Sequence, residues 1–152
     1  MTIQIDTREK PKAIQKIVAE FESHGIPYYR SKLYVGDYMN LDNPRLIIDR
    51  KQNLLEICEN VGQDHKRFTA ELIRANNAGI KLIILCENSQ NIRSLDDVRY
   101  WVNPRTKQSP LAISGERLFK ILSTMQNHYN TEFLFCTKDE TGKRIIELLD
   151  GR

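Results

Sequence analysis

The sequence has little cysteine, and its cysteines suggest neither a disulfide framework nor a zinc site. The three cysteines, Cys58, Cys86 and Cys136, are far apart among 152 residues. Their odd number and wide spacing match no metal-binding pattern, and free cysteines are usually buried. We therefore predict three buried thiols and a reducing compartment, because disulfides persist mainly in oxidising environments.

Long apolar runs and a leader pattern are also missing. No stretch approaches the roughly 20 apolar residues that a membrane-spanning helix needs. The N-terminus has no basic segment followed by an apolar one. These absences predict a cytoplasmic protein with no membrane partner. Internal repeats and low-complexity tracts are missing as well, so residues 1–152 are expected to form a single domain.

Charge is present in both signs, and neither sign is in strong excess. Lys and Arg number 23 against 20 Asp and Glu, which gives a formal net charge of +3. This small excess permits contact with a phosphate backbone but does not require it. With 40% hydrophobic and 28% charged residues, the composition is that of an ordinary globular domain and excludes a disordered chain.

Alternating strand and helix patterns indicate an α/β domain. Helices fill most of the intervals between six predicted strands, at residues 3–6, 28–32, 38–41, 46–51, 80–86 and 131–136. The run from Ile80 to Cys86 is almost continuously apolar, which is typical of a central strand buried on both faces. Residues 42–44 form a strong turn signal, so residues 38–51 are predicted to form a hairpin. This order predicts a mixed central sheet flanked by helices.

Charged residues at the ends of the predicted hairpin strands are suited to phosphodiester chemistry. Asp37 precedes one arm, and Asp49 and Lys51 end the other. Residues two apart on a strand point to the same face, about 6.6 Å apart along the chain. Asp49 and Lys51 should therefore share one site, and the hairpin can bring Asp37 beside them.

A divalent cation would give this group its chemistry. Mg2+ usually binds one or two carboxylates and completes its shell with water. Asp37 and Asp49 supply the carboxylates, and the main-chain carbonyl of Arg50 offers a further oxygen. The cation would polarise a scissile phosphate and activate water. Lys51 would stabilise the growing negative charge or orient the water.

The Asp-x-Lys strand end after an earlier Asp is the general pattern of restriction-enzyme-like nucleases. The pattern alone is weak evidence, because it also arises by chance as a solvated strand end. Asp6, Arg8 and Glu9 place more acidic and basic groups at the end of the first predicted strand. Active-site loops of α/β folds often lie there, although a surface loop leading into a helix would have similar residues.

Three motifs together resemble the nuclease domain of the XPF-type structure-specific endonucleases. They are Asp6-Thr7-Arg8-Glu9, Val35-Gly36-Asp37-Tyr38 and Ile48-Asp49-Arg50-Lys51. They resemble the family's Asp-x-Arg-Glu strand end, Gly-Asp-Tyr turn and Glu-Arg-Lys strand end, in the same order. The segment with Arg67, Phe68 and Glu71 resembles the next family element, where an Arg and a Gln stand near those places. The resemblance is specific over residues 2–87 and looser afterwards.

The resemblance implies a restriction-endonuclease-like core and Mg2+- or Mn2+-dependent cleavage of branched or partly single-stranded DNA, such as flaps, forks or junctions. DNA repair or recombination is the implied context, and a homodimer is a further expectation, because family members often dimerise. The resemblance assigns the metal to Asp37 and Asp49, with Asp6 close by as a further predicted metal ligand. The other implied site residues are Arg8, Glu9, Arg50 and Lys51.

The sequence departs from the family pattern at three points. Asp49 stands in place of the family's Glu, and Leu55 occupies a position where the family usually has an Asp, with Glu56 next. The helix-hairpin-helix pair that many members use to grip DNA is not found. The expectation is a stand-alone domain of the kind typical of small phage or bacterial versions, acting in the host cytoplasm if phage-encoded.

Other basic residues are candidates for DNA contact. Lys66, Arg67 and Arg74 lie on one predicted helix, where they can line a phosphate-binding groove or form a solvated face. Tyr100 and Trp101 can stack on distorted DNA or, as is more usual, belong to the core. The basic residues that flank this pair are Arg99, Arg105 and Lys107. The apolar stripe of the closing helix can cover the sheet or a partner subunit.

Three functional hypotheses follow from these patterns. The first is a metal-dependent endonuclease for branched DNA. The second is a catalytically silent DNA-binding or scaffold domain of the same fold. Leu55 favours it, but inactive family members tend to lose the carboxylates and the Lys that this sequence keeps. The third is a nuclease that acts on linear DNA or on a specific sequence.

Overall fold

The computed structural model describes residues 1–151 and contains one six-stranded sheet. Its strands are β1 (Ile3–Ile5), β2 (Tyr28–Arg30), β3 (Tyr38–Asn40), β4 (Asn43–Lys51), β5 (Lys81–Glu87) and β6 (Thr131–Cys136). Its α-helices are α1 (Gln15–Ser23), α2 (Leu54–Val61), α3 (His65–Asn77), α4 (Gly115–His128) and α5 (Thr141–Leu149). Short 3-10 helices cover Pro11–Ile14, Leu95–Tyr100, Pro104–Lys107 and Lys138–Glu140.

The sheet is mixed, as the sequence predicts. Its strand order is β2-β1-β3-β4-β5-β6. The pairs β1–β2, β4–β5 and β5–β6 are parallel, whereas β3 pairs antiparallel with β1 and with β4. All residues of β5 after Lys81 are buried, which confirms the prediction of a central strand from its continuous apolar run.

Two apolar cores lie on opposite faces of this sheet. Successive side chains of β4 point to opposite faces, so Ile47 enters the core beneath α2, α3 and α4, and Ile48 enters the core beneath α1 and α5. Ile145 and Leu149 of the closing helix are buried in the second core. The apolar stripe of α5 therefore covers the sheet. The fold class is confirmed as α/β, with helices on both faces.

Several local expectations need correction. The hairpin turn lies at residues 41–42, and β4 already begins at Asn43, because the side chain of Asn40 accepts a hydrogen bond from the backbone of Asp42 and closes the turn early. Tyr100 is 80% exposed, so the prediction of a buried aromatic pair is wrong for Tyr100, whereas Trp101 packs against the larger core. Arg99, which precedes Tyr100 in the sequence, lies over the ring of Phe119.

The cysteine prediction is confirmed in part. Cys86 and Cys136 are buried and free, whereas Cys58 is free but only half-buried. Burial raises the pKa of Cys58 to about 11, so its thiol stays protonated and unreactive near neutral pH. Within residues 1–151, no helix combines the length and the apolar character needed to cross a membrane.

Candidate active site

The end of the β3–β4 hairpin brings Asp37 beside the last residues of β4. The backbone N–H of Asp37 donates to the carbonyl of Ile48 at 2.8 Å, and its carbonyl accepts from the N–H of Asp6 at 2.8 Å. One carboxylate oxygen of Asp37 accepts from the N–H of Arg50, also at 2.8 Å. The ends of β1, β3 and β4 therefore meet at Asp37.

Gly36 makes this approach of two strands possible. Its φ of +69° lies in the left-handed region, which side chains disfavour. A Cβ at this position would stand 2.6 Å from Cγ2 of Ile47 and 3.1 Å from the carbonyl oxygen of Ile48. Glycine therefore lets the chain turn against β4 and places Asp37 directly over it.

Asp49 and Lys51 face the same side of β4, as their spacing predicts. The ammonium of Lys51 lies 3.4 Å from a carboxylate oxygen of Asp49, and both side chains are largely buried. The same ammonium lies 5.4 Å from the ring centroid of Phe68 on α3. Lys51 is therefore held between the sheet and α3, with its charge next to the carboxylates.

Glu71 lies in the candidate site, although the motif analysis did not assign it there. It projects from α3 toward Asp49, and one of its carboxylate oxygens is buried with no hydrogen-bond partner. The signal was present in the sequence, because position 71 is three residues after Phe68 and four before Ala75. Both of these α3 residues are buried against the sheet, so Glu71 lies on the same helix face.

The three crowded carboxylates have shifted pKa values: those of Asp37 and Glu71 are raised, and that of Asp49 is lowered. Burial, followed by the charge of Asp49, raises the pKa of Asp37 well above its ordinary value. Burial and Asp49 likewise raise the pKa of Glu71 to about 8. Burial alone would also raise the pKa of Asp49, but Lys51 and the hydrogen bonds from its neighbours hold it below the ordinary value. Raised pKa values favour the protonated forms of Asp37 and Glu71, and a cation bound beside them would favour the ionised forms instead.

Asp6 supports the site through Arg8. Asp6 is fully buried, and its carboxylate accepts from the backbone N–H of Leu33 at 2.7 Å, from that of Arg8 at 2.9 Å and from Nε of Arg8 at 2.6 Å. The guanidinium of Arg8 also donates to the carbonyl of Gly36 at 3.0 Å. Both oxygens of Asp6 already accept from protein donors, which argues against its predicted role as a metal ligand.

Arg50 directs its guanidinium away from Asp49 into a buried ion cluster. It donates to Glu9 at 2.7 and 3.3 Å and to Glu87 at 2.8 Å. The hydroxyl of Tyr38 also donates to Glu9 at 2.7 Å, and the hydroxyl of Thr141 donates to Glu87 at 2.5 Å. Neighbouring strand residues point to opposite faces, so the side chain of Arg50 orders the strand end, and its backbone is the part nearest the carboxylates.

Two adjoining cavities open at this group. A cavity of about 240 Å³ is bordered by six of the predicted site residues, namely Arg8, Glu9, Asp37, Asp49, Arg50 and Lys51. A second, of about 520 Å³, shares Arg8, Lys51 and Glu71 with it and extends along α3 to Arg67 and Arg74. Glu56 borders both cavities. Asp6 and the exposed Lys66 line neither cavity.

The carboxylates suit a hydrated divalent cation better than a metal held in a protein cage. Across residues 1–151, no three His, Cys, Asp or Glu side chains are already arranged as a ligand group. Mg2+ does not need such a cage, because one or two carboxylates and several waters satisfy it. Asp37 and Asp49 meet that requirement, and the unpartnered oxygen of Glu71 is free to accept from a bound water.

Comparisons with known proteins identify the family and the fold of this chain. The family model described as the ERCC4 domain matches residues 5–148, a range that includes the site residues. The structure of XPF from Aeropyrum pernix is similar, with 18% identity and a TM-score of 0.66, over 100% of this chain and 62% of that chain. XPF from Aeropyrum pernix in complex with DNA gives 17% identity and a TM-score of 0.68, over 98% of this chain and 63% of that chain.

The matches cover nearly all of this chain but only part of the solved structures. The chain spans a little over three fifths of the two Aeropyrum pernix chains, and no curated protein sequence matches it. Similarity at this level of identity concerns the fold, whereas the family match covers nearly the whole sequence. The family match covers most of the chain, so the chain belongs to the ERCC4 domain family. Its α/β fold, of the restriction-endonuclease-like class, is similar to that of XPF from Aeropyrum pernix.

Proposed function

We propose that this protein is a metal-dependent endonuclease that hydrolyses phosphodiester bonds in branched or partly single-stranded DNA. One observation carries the proposal: the carboxylates of Asp37 and Asp49 meet the ammonium of Lys51 at a cavity that continues into an arginine-lined groove. Membership of the ERCC4 domain family supports nuclease chemistry. The solved complex of the Aeropyrum pernix protein with DNA supports DNA as the substrate.

Each residue of the site has a separate task in this proposal. Asp37 and Asp49 would hold Mg2+ or Mn2+, which would supply Lewis acidity to the phosphate and to water. Lys51 offers a buried positive charge where a phosphorane-like transition state gains negative charge. Glu71 offers a free oxygen that orients the attacking water. Arg8, fixed by Asp6, contributes a second positive charge at the cavity rim.

The DNA backbone would follow the groove along α3. Arg67 and Arg74 line the larger cavity, and both side chains are exposed, so they can pair with phosphates without losing buried contacts. Lys66 lies on the same helix outside the cavity, and its contact with DNA stays a prediction.

We also propose that residues 1–152 act as one nuclease domain. A homodimer remains an expectation from the resemblance, which light scattering would measure.

The position of Leu55 does not leave the site short of an acid. Glu56, its neighbour, lies in the first turn of α2, where its carboxylate accepts from the N–H of Gln52 at 2.9 Å. Its side chain borders both cavities beside Lys51. Glu56 can therefore supply, one residue after Leu55, the acidic group that the family usually has at the position of Leu55. The loss of that Asp then no longer favours a silent scaffold.

A panel of DNA substrates tests the proposed function. Labelled flap, fork, four-way-junction, blunt-duplex and single-stranded DNA would be incubated with the protein and Mg2+ or Mn2+, with EDTA as the control. We expect metal-dependent cuts near the junctions of branched substrates. Tight binding without cleavage of any substrate would identify a silent DNA-binding domain. Equal cleavage of blunt duplex would identify a nuclease for linear DNA.

Replacing Glu71 with glutamine should stabilise the metal-free protein and weaken its response to metal. In the unfolded chain a glutamate loses its proton near pH 4.3, whereas folded Glu71 keeps it to about pH 8. Between these values the folded state binds more protons, so its stability falls as pH rises. The variant should escape this loss and gain about 1 kcal/mol or more at pH 8, a Tm rise of about 2–4 °C.

Thermal unfolding between pH 5 and pH 8 measures this effect. The difference between Glu71→Gln and wild type should grow with pH, and Mn2+ should raise the Tm of the wild type more than that of the variant. Glu116→Gln, on an exposed part of α4, is the control and should show neither effect. A constant difference across the pH range would mean that Glu71 does not hold a proton in the folded protein.

A further inference from the structure

We propose that Tyr34 and Arg74 form a stacking platform for an unpaired nucleotide next to the candidate active site. The proposal rests on the proposed function, because it adds a substrate feature to that site: a single-stranded segment beside the bond to be cut. It concerns residues outside the three motifs, and it makes Tyr34 a specificity-determining residue.

Tyr34 is an exposed aromatic side chain on a fixed backbone. It is 62% exposed, whereas its neighbours Leu33 and Val35 are buried in the larger core. The backbone N–H of Leu33 donates to the buried carboxylate of Asp6 at 2.7 Å. Two residues after Tyr34, the carbonyl of Gly36 accepts from Arg8 at 3.0 Å. The ring is therefore presented to solvent by a segment that is anchored on both sides.

A cation is already placed against this ring. The guanidinium carbon of Arg74 lies 5.4 Å from the ring centroid of Tyr34, a cation–π distance. Arg74 also lines the 520 Å³ cavity, together with Lys51 and Arg8. The ring itself does not line this cavity, but Arg74 joins the ring to it.

An exposed aromatic ring beside an arginine-lined cavity favours unpaired nucleotides. Proteins that bind single strands combine positive charge along the backbone with aromatic rings on which bases stack. A base inside a duplex is stacked on both sides and cannot use such a ring, whereas an unpaired base can. The platform should therefore add affinity only for DNA that is single-stranded next to the bound phosphates.

The other exposed tyrosines have different surroundings. Tyr29 lies on the edge strand β2, and its hydroxyl donates to Gln4 at 3.0 Å. Tyr100 is more exposed than Tyr34, but the cation beside it in sequence, Arg99, lies over the ring of Phe119. No tyrosine lines the two cavities at the candidate site, but only Tyr34, among these three exposed tyrosines, has a cavity-lining arginine against its ring. Tyr100 is therefore a matched control for the loss of an exposed tyrosine.

Fluorescence anisotropy in EDTA tests the platform without cleavage. The probes are a fluorescein-labelled oligothymidylate and a labelled blunt duplex of equal length. Tyr34→Ala should weaken binding of the single strand about 5- to 10-fold, the lower end of the range for one stacked base, and should change duplex binding less than twofold. Tyr34→Phe should retain the affinity, and Tyr100→Ala should match the wild type.

Salt dependence separates stacking from charge. Arg74→Ala should reduce the slope of log K against log salt by about 0.7 for the single strand, because one phosphate contact is lost. Tyr34→Ala should lower the affinity and leave the slope unchanged. Equal losses on duplex and single strand, or a loss for Tyr100→Ala in place of Tyr34→Ala, would overturn the proposal.

The binding result is independent of the cleavage result. If wild-type protein cuts branched DNA with Mg2+ while Tyr34→Ala binds oligothymidylate normally, the stacking platform is refuted and the nuclease proposal stands. If no substrate is cut but the Tyr34→Ala loss is specific to single strands, the platform is supported and the nuclease proposal fails. Circular dichroism of each variant confirms that these single surface changes leave the fold intact.

Discussion

Asp37→Asn should lower metal-dependent DNA cleavage about 10³-fold and leave the metal-free protein at least as stable as wild type. Asparagine keeps an oxygen that can accept the 2.8 Å hydrogen bond from the N–H of Arg50, so the hairpin end stays ordered. It loses the charge that a cation needs. A loss of this size is the upper end for removal of one transition-state-stabilising group.

The stability part of this expectation follows from the direction of one pKa. Burial and the charge of Asp49 raise the pKa of Asp37 well above its ordinary value, so the ionised carboxylate is unfavourable in the metal-free fold. Removing the charge removes that cost. Such an exchange of stability for function is common where active sites concentrate like charges.

Cleavage rates, thermal unfolding and metal titration by calorimetry would be measured on the same preparations. Asp42→Asn is the control, because Asp42 is an exposed carboxylate at the hairpin turn, remote from the cavities. It should leave the rate unchanged. Full activity of Asp37→Asn would remove Asp37 from the metal site, and a fall in its metal-free Tm would contradict the charge argument.

Arg50→Met should destabilise the protein by about 3–5 kcal/mol, because it leaves Glu9 and Glu87 buried without their cation. Methionine has a similar length and fills much of the same space, so the effect comes mainly from charge and lost hydrogen bonds. For a chain of this size the expected fall in Tm is about 6–20 °C.

Arg93 provides a matched control for this experiment. It forms an ion pair with Glu140 at 2.5 Å, but both side chains are nearly half exposed, and solvent weakens such pairs. Arg93→Met should therefore change the Tm, measured by thermal unfolding alongside Arg50→Met, very little. Adding Glu9→Gln and Glu87→Gln to Arg50→Met should recover part of the lost stability. If Arg50→Met and Arg93→Met behave alike, the buried cluster is not what orders the end of β4.

Local pattern was enough to predict the sheet and the centre of the site. The apolar run at residues 80–86 is typical of a strand covered on both faces, and it forms most of β5, which lies between β4 and β6. Asp49 and Lys51 share a face because a strand repeats every two residues. Asp37 joins them because a hairpin fixes the register of its two arms. These relations join residues that are close together in the sequence, so they can be predicted from the sequence alone.

Contacts between distant elements decided which groups the motif residues bind. The motif containing Asp6 and Arg8 indicates acidic and basic groups at a strand end, but only the folded chain brings Leu33 to the carboxylate of Asp6. Arg50 is part of a motif, yet its partner Glu87 comes from β5 and is held in turn by Thr141 of α5. No local pattern encodes these partners.

The alternation of side chains and the register of a hairpin are thus properties of the sequence itself, and they determined the pairing of Asp49 with Lys51. The placement of Glu71 beside that pair, and of Arg74 against the ring of Tyr34, was decided by the tertiary structure. It depends on how α3 packs against the sheet, through Phe68 and Leu72. Helix packing is set by the summed burial of many apolar groups, which no single motif carries.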